Sequence, residues 1–395
     1  MIKPYGSEIL NPLFVKDEAC RKMQLEEAEK IPSVVVSSAA AANAVMLGGG
    51  YFNPLNAYMN LVDVMAVAEG MQMPSGLMWP TPVVNLLEGD ALSKELKAAP
   101  KIALRDPNVE GNPVIAIQTV DKIEQMSAEQ ISTVCTQIYG TSSTEHPGVA
   151  AFVYAGDTLI SGTVEVLNFS YFSTDFPDTF RTAVEIRNEI KERGWETVIA
   201  FQTRNPMHRA HEELCRMAQK ELNADGILVH MLLGKLKKGD IPAEVRNASI
   251  RKMVELYFPE NTVMVTGYGF DMLYAGPREA VLHAIFRQNS GCSHLIVGRD
   301  HAGVGDYYGA FDAQTIFDKI PEGALQIEIF LGDHTVWCNK CEKVVMMRDC
   351  PHGKEDYLLL SGTRVREILA KGEALPPEFS RPEVAKILSE YYQTL

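Results

Sequence analysis

The sequence predicts an α/β protein: a doubly wound parallel sheet, preceded by a β-rich domain and followed by a small lobe. Two observations carry this. From residue 181 onward, helix-like and strand-like stretches alternate regularly, as parallel strands joined by crossover helices require. Before residue 168, short apolar runs are instead broken by Pro, Gly, Asn and Asp, with few long helical patterns. Domains are therefore placed at residues 1–168, 169–330 and 331–395. A chain of 395 residues, 46% hydrophobic and 22% charged, can bury full cores in two or three such domains.

In order along the first domain, strands are expected at 34–36, 83–87, 101–104, 114–118, 151–153 and 159–167. Amphipathic helices at 62–69 and 127–139 make a mixed, barrel-like fold a better fit than a pure sandwich. A polar, aromatic segment, 169–180, leads into the alternation: helix 181–193, strand 197–201, helix 206–222, strand 226–232, helix 243–257, strand 262–265, helix 277–288 and strand 294–297. In the last lobe a strand at 357–360 precedes helices at 365–371 and 381–392. No internal repeat is evident, and the alanine run at 39–42 is too short to count as low complexity.

Ligands of such sheets bind at the carboxyl ends of the strands, and two loops there are rich in Arg, His and Gly. After the strand at 197–201, Asn205 suits the N-cap and Pro206 the first helical position, so free N–H groups are expected to face an anion. His208 and His211, three apart, share a helix face, and Arg204 and Arg209 add permanent positive charge. After the strand at 294–297 comes Gly298-Arg299-Asp300-His301-Ala302-Gly303, where glycines let backbone approach an oxyanion and the arginine fork matches it. Read alone, Arg299 and Asp300 also fit a surface ion pair. A third strand-to-helix corner, Ser361-Gly362-Thr363-Arg364, is equally well explained by plain N-capping.

Several classes are excluded. A net charge of −14 without a basic tail or long Lys/Arg stripe argues against nucleic-acid binding, so an anionic substrate must meet a local positive pocket. No signal-peptide core and no run of about 18 apolar residues appears, which predicts a cytoplasmic protein without a membrane partner. There is no Gly-x-Ser-x-Gly elbow and no Gly-x-x-x-x-Gly-Lys-Ser/Thr loop. What remains suits direct transfer between two bound oxyanions, in which positioning and charge stabilisation supply the rate. Seven cysteines, three of them within 338–350, point to metal ligation in a reducing compartment. Cys338, Cys341, Cys350 and His352 can close a tetrahedral structural Zn²⁺ site.

Gln202-Thr203-Arg204-Asn205-Pro206-Met207-His208-Arg209-Ala210-His211, together with Gly298-Arg299-Asp300-His301-Ala302-Gly303, resembles the sulfate adenylyltransferases, or ATP sulfurylases. The likeness extends to Tyr51-Phe52-Asn53-Pro54-Leu55, His146-Pro147-Gly148-Val149, Gly156-Asp157 and Ser361-Gly362-Thr363, and so spans essentially the whole chain. The histidine pair alone would also fit nicotinate- or pantetheine-phosphate adenylyltransferases; the second arginine loop speaks against them.

The resemblance implies a Rossmann-like nucleotidyltransferase domain behind a PUA-like N-terminal domain, and the reaction ATP + sulfate ⇌ adenosine 5′-phosphosulfate + pyrophosphate in either direction. It implies that Arg204, Arg299, Gln202 and the Ala302 N–H hold sulfate and that Asn205 reaches the α-phosphate. His208 and His211 would neutralise the β- and γ-phosphates, with Thr203 beside them in the first motif. Gly298, Asp300 and His301 would border the nucleotide, with Met347 near the adenine. Mg²⁺ with the nucleotide and a homo-oligomer are further implications. The chain ends soon after the last helix, so a fused kinase domain is not expected; Cys338-x-x-Cys341 with Cys350-Pro-His352 is a spacing many relatives lack.

Overall fold

The computed structural model, which describes residues 1–237 and 239–394, arranges the strands in three sheets. In the first, Ser33–Val35, Lys101–Arg105, Val114–Thr119, Thr158–Val166 and Ala57–Tyr58 follow one another, and Leu86–Leu87 and Lys122–Gln125 also pair with Thr158–Val166. All pairings are antiparallel except Ser33–Val35 with Lys101–Arg105. Thr158–Val166 can serve several partners because Gly162, at φ 141°, lets the Thr119 carbonyl approach where a Cβ would lie 1.8 Å from its oxygen.

The second sheet has five strands, all parallel, in the order Val263–Tyr268, Gly226–Leu232, Val198–Thr203, His294–Val297, Glu328–Leu331. Counted by chain order that is 3-2-1-4-5, so the winding reverses between Val198–Thr203 and His294–Val297. Crevices in open α/β sheets form at this reversal. Gly226–Leu232 is buried at every residue, the signature of a strand covered on both faces. The helix Pro277–Asn289 is buried from Glu279 through Asn289, sandwiched between this sheet and the first domain. It carries Glu279, His283 and Arg287 at four-residue spacing, a polar seam inside the core. Its Asn289 locks the first domain in place: Nδ2 donates to the carbonyls of Tyr51 (2.8 Å) and Asn53 (3.0 Å), and Oδ1 accepts from Tyr5 N (2.8 Å).

The third sheet is a small antiparallel one, with Lys343–Met346, Thr335–Cys338 and Tyr357–Leu358 in that order. Helices Gly362–Ala370 and Pro382–Tyr392 follow it.

Several expectations need correction. Residues 151–153 are not a strand but lie in the helix Pro147–Tyr154, which Pro147 opens and the His146 ring caps. Helices Glu18–Ala28 and Ser38–Gly48 were not anticipated; the second is buried from Ala40 to Gly48, so it shows no amphipathic period. The helix expected to begin at residue 206 begins at Arg209, because the Thr203 hydroxyl brackets Asn205, accepting from its N (3.1 Å) and donating to its O (2.7 Å). That turn keeps residues 204–207 out of the helix.

Candidate active site

The loops that leave Val198–Thr203 and His294–Val297 flank the reversal point. Register pairs Phe201 with Ile296, so the two loops leave the sheet at one level. Together with the C-terminal lobe they line a cavity of about 540 Å³, whose walls include Gln202, Thr203, Arg204, Asn205, His208, His211, Gly298, Arg299, Asp300, His301 and Ala302. Both arginine loops therefore reach the same space.

Arg204 is held from two sides. Its Nη2 donates to the Gly303 carbonyl at 2.8 Å and its guanidinium lies 4.9 Å from the Tyr274 ring centroid, while Nη1 is buried without a hydrogen-bond partner. Arg299 is placed differently. It is 46% exposed and ion-paired with Asp300 at 3.3 Å, so an incoming oxyanion must compete with its neighbour. Asp300 (φ 54°) and Ala302 (φ 56°) both adopt the left-handed conformation, uncommon for residues with a Cβ, and such strain collects at ligand-binding loops. Hydrogen bonds pin it: Asp300 N to Ala310 O (2.8 Å), Gly303 N to Asp300 O (3.1 Å) and Gly276 N to Ala302 O (3.1 Å).

The histidine pair also differs from expectation. His208 is the N-cap, not a residue of the first turn, and its N–H donates to His211 Nδ1 at 3.1 Å. Arg209 N donates to Phe379 O, so the amides at the start of this helix are largely committed and backbone N–H groups are not the main anion donors. With Nδ1 of His211 accepting, its proton sits on Nε2. Burial, with His211 close by, pushes the His208 imidazole down to about 3, and burial pushes His211 down to about 4, so both rings are neutral donors in the free protein. The rings are 6.0 Å apart and near parallel.

Thr203 spends its hydroxyl on the turn already described. Gln202 Nε2 points to the Tyr268 hydroxyl at 3.4 Å, and Asn205 is exposed. His301 Nε2 meets His283 Nδ1 at 3.0 Å, and burial, then Arg287 and Arg204, lower His301 to about 3. Deeper still, Glu279 is fully buried and accepts from Leu273 N and Ala275 N, each at 3.1 Å; burial raises its carboxyl to about 7.

The C-terminal lobe braces the helix that follows His208. Arg381 makes a bidentate pair with the fully buried Glu212 (2.9 and 2.8 Å), and Phe379 packs on His208 with ring centroids 4.6 Å apart. On the outer side of that lobe, Cys338, Cys341, Cys350 and His352 offer ligand atoms that all lie within 4.8 Å of one another. At the third corner, Ser361 caps its helix by accepting from Arg364 N (3.1 Å); the Thr363 side chain lies outside the described residues.

The family model for ATP-sulfurylase matches residues 177–391 and that for a PUA-like domain residues 2–169. Sulfate adenylyltransferase of Alcanivorax borkumensis is 64% identical, covering 100% of this chain and 98% of its own. The chain belongs to the ATP-sulfurylase family. A second relative, sulfate adenylyltransferase of Allochromatium vinosum, is 63% identical over 100% of this chain and 99% of that one. Among solved structures, one titled hexameric APS kinase from Thiobacillus denitrificans shares the fold, with a TM-score of 0.75 at 24% identity over 99% of this chain and 68% of that one. No helix among the described residues is long and apolar enough to cross a membrane.

One expected site residue of this ATP-sulfurylase family member lies apart from the cavity. Met347, expected near the adenine, does not line the cavity; it packs beside Cys341 and Cys350 in the small core of Val336, Cys338 and Val345. Its backbone N is tied to His334 O at 2.9 Å, which turns the side chain's segment towards the cysteines. Asp333, His334 and Thr335, across that bond, line the cavity instead and were not anticipated. His334 lies within electrostatic reach of Arg299, although burial is the larger cause of its lowered pKa. Asp333 and His334 link the strands Glu328–Leu331 and Thr335–Cys338, and Thr335 opens the second.

Proposed function

We propose that this cavity catalyses ATP + sulfate ⇌ adenosine 5′-phosphosulfate + pyrophosphate, the reaction of the enzymes it is similar to. One observation carries the assignment of roles: two guanidinium-bearing loops and a histidine pair open onto one cavity at the reversal of the sheet. Sulfate is a weak nucleophile, so its orientation and the charge developing at phosphorus must be managed by fixed groups.

In this reading Arg204 and Arg299 grip sulfate with Gln202 and the Ala302 N–H, and hold it in line with the α-phosphorus. Asn205 reaches the α-phosphate, and the Nε2–H groups of His208 and His211 donate to the departing pyrophosphate. Thr203 acts one step back, by fixing the turn that aims Arg204 and Asn205. Gly298, Asp300 and His301 border the nucleoside. Neutral histidines in the free protein fit this role, because a bound polyphosphate would raise their pKa and strengthen the same hydrogen bonds as charge accumulates. Bond making between a sulfate oxygen and phosphorus and bond breaking to pyrophosphate balance without a covalent intermediate on the protein. Mg²⁺ would accompany ATP and offset phosphate charge; its ligands would be phosphates and water, since both carboxylates of the described lining are engaged, Asp300 by Arg299 and Asp333 by the Arg348 N–H at 2.6 Å.

The cysteine–histidine cluster is proposed as a structural Zn²⁺ site. A tetrahedron with usual zinc bond lengths sets sulfur atoms about 3.8 Å apart and sulfur and nitrogen about 3.5 Å apart. Cys341 and Cys350 are 3.8 Å apart, and His352 Nδ1 is 3.4, 3.3 and 3.6 Å from Cys338, Cys341 and Cys350. Four protein ligands would fill the coordination sphere, so the metal would staple the third sheet and take no chemical step. The domain limits 1–168, 169–330 and 331–395, a reducing cytoplasmic location and a homo-oligomer complete the proposal.

The test is sulfate-dependent release of pyrophosphate from ATP by the purified chain. Release that depends on both substrates, with adenosine 5′-phosphosulfate formed in equal amount, is expected. Turnover of ATP that ignores sulfate would refute the reading.

A further inference from the structure

His146, from the first domain, lies far from the reaction in sequence and does not line the cavity, yet it is fully buried at the joint between the first domain and the parallel-sheet domain. Its two ring nitrogens do different work. Nδ1 accepts from Gly148 N (3.1 Å) and Val149 N (3.3 Å), capping its own helix, so the proton must sit on Nε2. That Nε2–H faces both the carbonyl of Tyr274 at 3.1 Å and the oxygen of the Tyr308 hydroxyl at 3.2 Å, and the same hydroxyl donates to that carbonyl at 2.9 Å. Gly148 completes the joint, since a Cβ there would lie 2.0 Å from Leu273 O.

Tyr274 is the unusual residue of this joint. It is 3% exposed and left-handed, at φ 58°, a conformation that a bulky side chain adopts only when its surroundings impose it. The impositions are visible: Glu279 takes the N–H groups on either side of it, from Leu273 and Ala275, while His146 and Tyr308 take its carbonyl. What this conformation achieves is to lay the Tyr274 ring beneath the Arg204 guanidinium, at 4.9 Å.

We infer that His146 is a positioning residue for Arg204, acting across the domain joint by holding the Tyr274 carbonyl. The inference rests on the reading of Arg204 as a sulfate ligand. It assigns a task to the His146-Pro147-Gly148 motif: a helix cap on one side of the ring and the aim of a guanidinium on the other. Loss of the Nε2–H bond removes one of the restraints that hold Tyr274 left-handed, while its hydroxyl still accepts from Lys237 N at 2.7 Å, and weakens one of the two supports of the Arg204 fork. Sulfate binding should suffer while nucleotide binding does not.

The two nitrogens can be tested separately in the full-length protein. In the His146→Asn variant the amide oxygen can replace Nδ1 as helix cap, but residue 146 no longer reaches the Tyr274 carbonyl, which keeps only the Tyr308 hydroxyl; in His146→Gln the amide NH₂ can reach that carbonyl, but the cap is lost. Steady-state pyrophosphate release should show the KM for sulfate raised about tenfold in H146N, with the KM for ATP within about twofold and the melting temperature near that of the parent. H146Q should recover the sulfate KM while melting lower. An unchanged sulfate KM in H146N, or equal rises for both substrates, would overturn the inference. Should H146N fail to fold, Tyr308→Phe removes the other bond to the same carbonyl together with the hydroxyl beside His146 Nε2, and must raise the sulfate KM; if it does not, the inference fails. Arg204→Ala, run in parallel, separates the two claims. If R204A leaves sulfate dependence intact, the sulfate assignment itself falls; if R204A is impaired and H146N is silent, only the relay falls.

Discussion

Arg204 and Arg299 are both arginines of the proposed sulfate pocket, but their surroundings predict unequal contributions. The Arg204 guanidinium is fixed by the Gly303 carbonyl and the Tyr274 ring and keeps a buried Nη1 unengaged, so no ion pair has to break before it meets an oxyanion. Removing one such preorganised donor from a water-poor site costs about 3–4 kcal/mol, or a factor of about 10²–10³ in turnover. Arg299 must first leave Asp300 and is nearly half exposed, so its exchange of one carboxylate for one sulfate nets about 1–1.5 kcal/mol, roughly tenfold. Arg204→Ala should therefore reduce kcat/KM for sulfate at least tenfold more than Arg299→Ala, in pyrophosphate-release assays at one pH and ionic strength. Asp300→Asn supplies the converse: it frees Arg299, Asn tolerates the left-handed backbone, and the sulfate KM should fall by about two- to fivefold. A greater loss in R299A than in R204A would refute the argument from preorganisation.

Protein purified without chelator should contain one zinc per chain by elemental analysis, and Cys350→Ser should lower the melting temperature while leaving kcat at 25 °C within about twofold; absence of zinc would refute the site. Burial keeps His230, His283 and His301 neutral in the folded chain, whereas unfolded imidazoles protonate below about pH 6.5. Their contribution is therefore complete above pH 6.5 and lost on acidification, each with a slope of up to about 1.4 kcal/mol per pH unit, while Glu279, raised to about 7, opposes one of them between about pH 4.5 and 7. Denaturant midpoints should fall from pH 7 to pH 5, and His283→Asn should flatten that fall by about one histidine's share; an unchanged slope would contradict the account. Arg381→Met leaves Glu212 buried with only the half-exposed Arg216 at 3.1 Å, which should destabilise the chain by about 2–4 kcal/mol; a loss under about 1 kcal/mol would show that Arg216 suffices.

What could be read from the sequence follows how local the determining physics is. Gly226–Leu232, Ala243–Tyr257 and His294–Val297 match their expected limits, because an unbroken apolar run or a periodic helix bounded by turn residues is a local signal. Ser38–Gly48 escaped notice because a helix buried all round has no polar face to announce it. The helix Pro147–Tyr154 read as a strand because its short apolar core outweighed a cap formed by a histidine, an uncommon capping residue. At the site, the two loops were legible from residue type, and their meeting followed from the reversal of strand order. Which backbone amides remained free was not. His211 Nδ1 and Phe379 O, the latter 170 residues away in the chain, claim the N–H groups that an isolated helix start would have offered. Asp333, His334 and Thr335 reach the cavity only through packing of the lobe.

The charge economy of the cavity follows from these same placements. A chain with net charge −14 must admit two anions to one pocket, whose lining carries three arginines, Arg204, Arg299 and Arg366. Arg204 keeps one buried nitrogen without a partner, Arg299 is paired with Asp300, and both histidines are neutral in the free protein. In the proposed reading, the histidines add their positive charge to that of the arginines only when the nucleotide is bound. A fully charged pocket would hold sulfate or pyrophosphate tightly in the ground state, and uniform binding of that kind lowers KM without raising turnover. In the proposed mechanism, neutral donors that gain charge alongside the departing pyrophosphate would place the stabilisation where the transition state needs it.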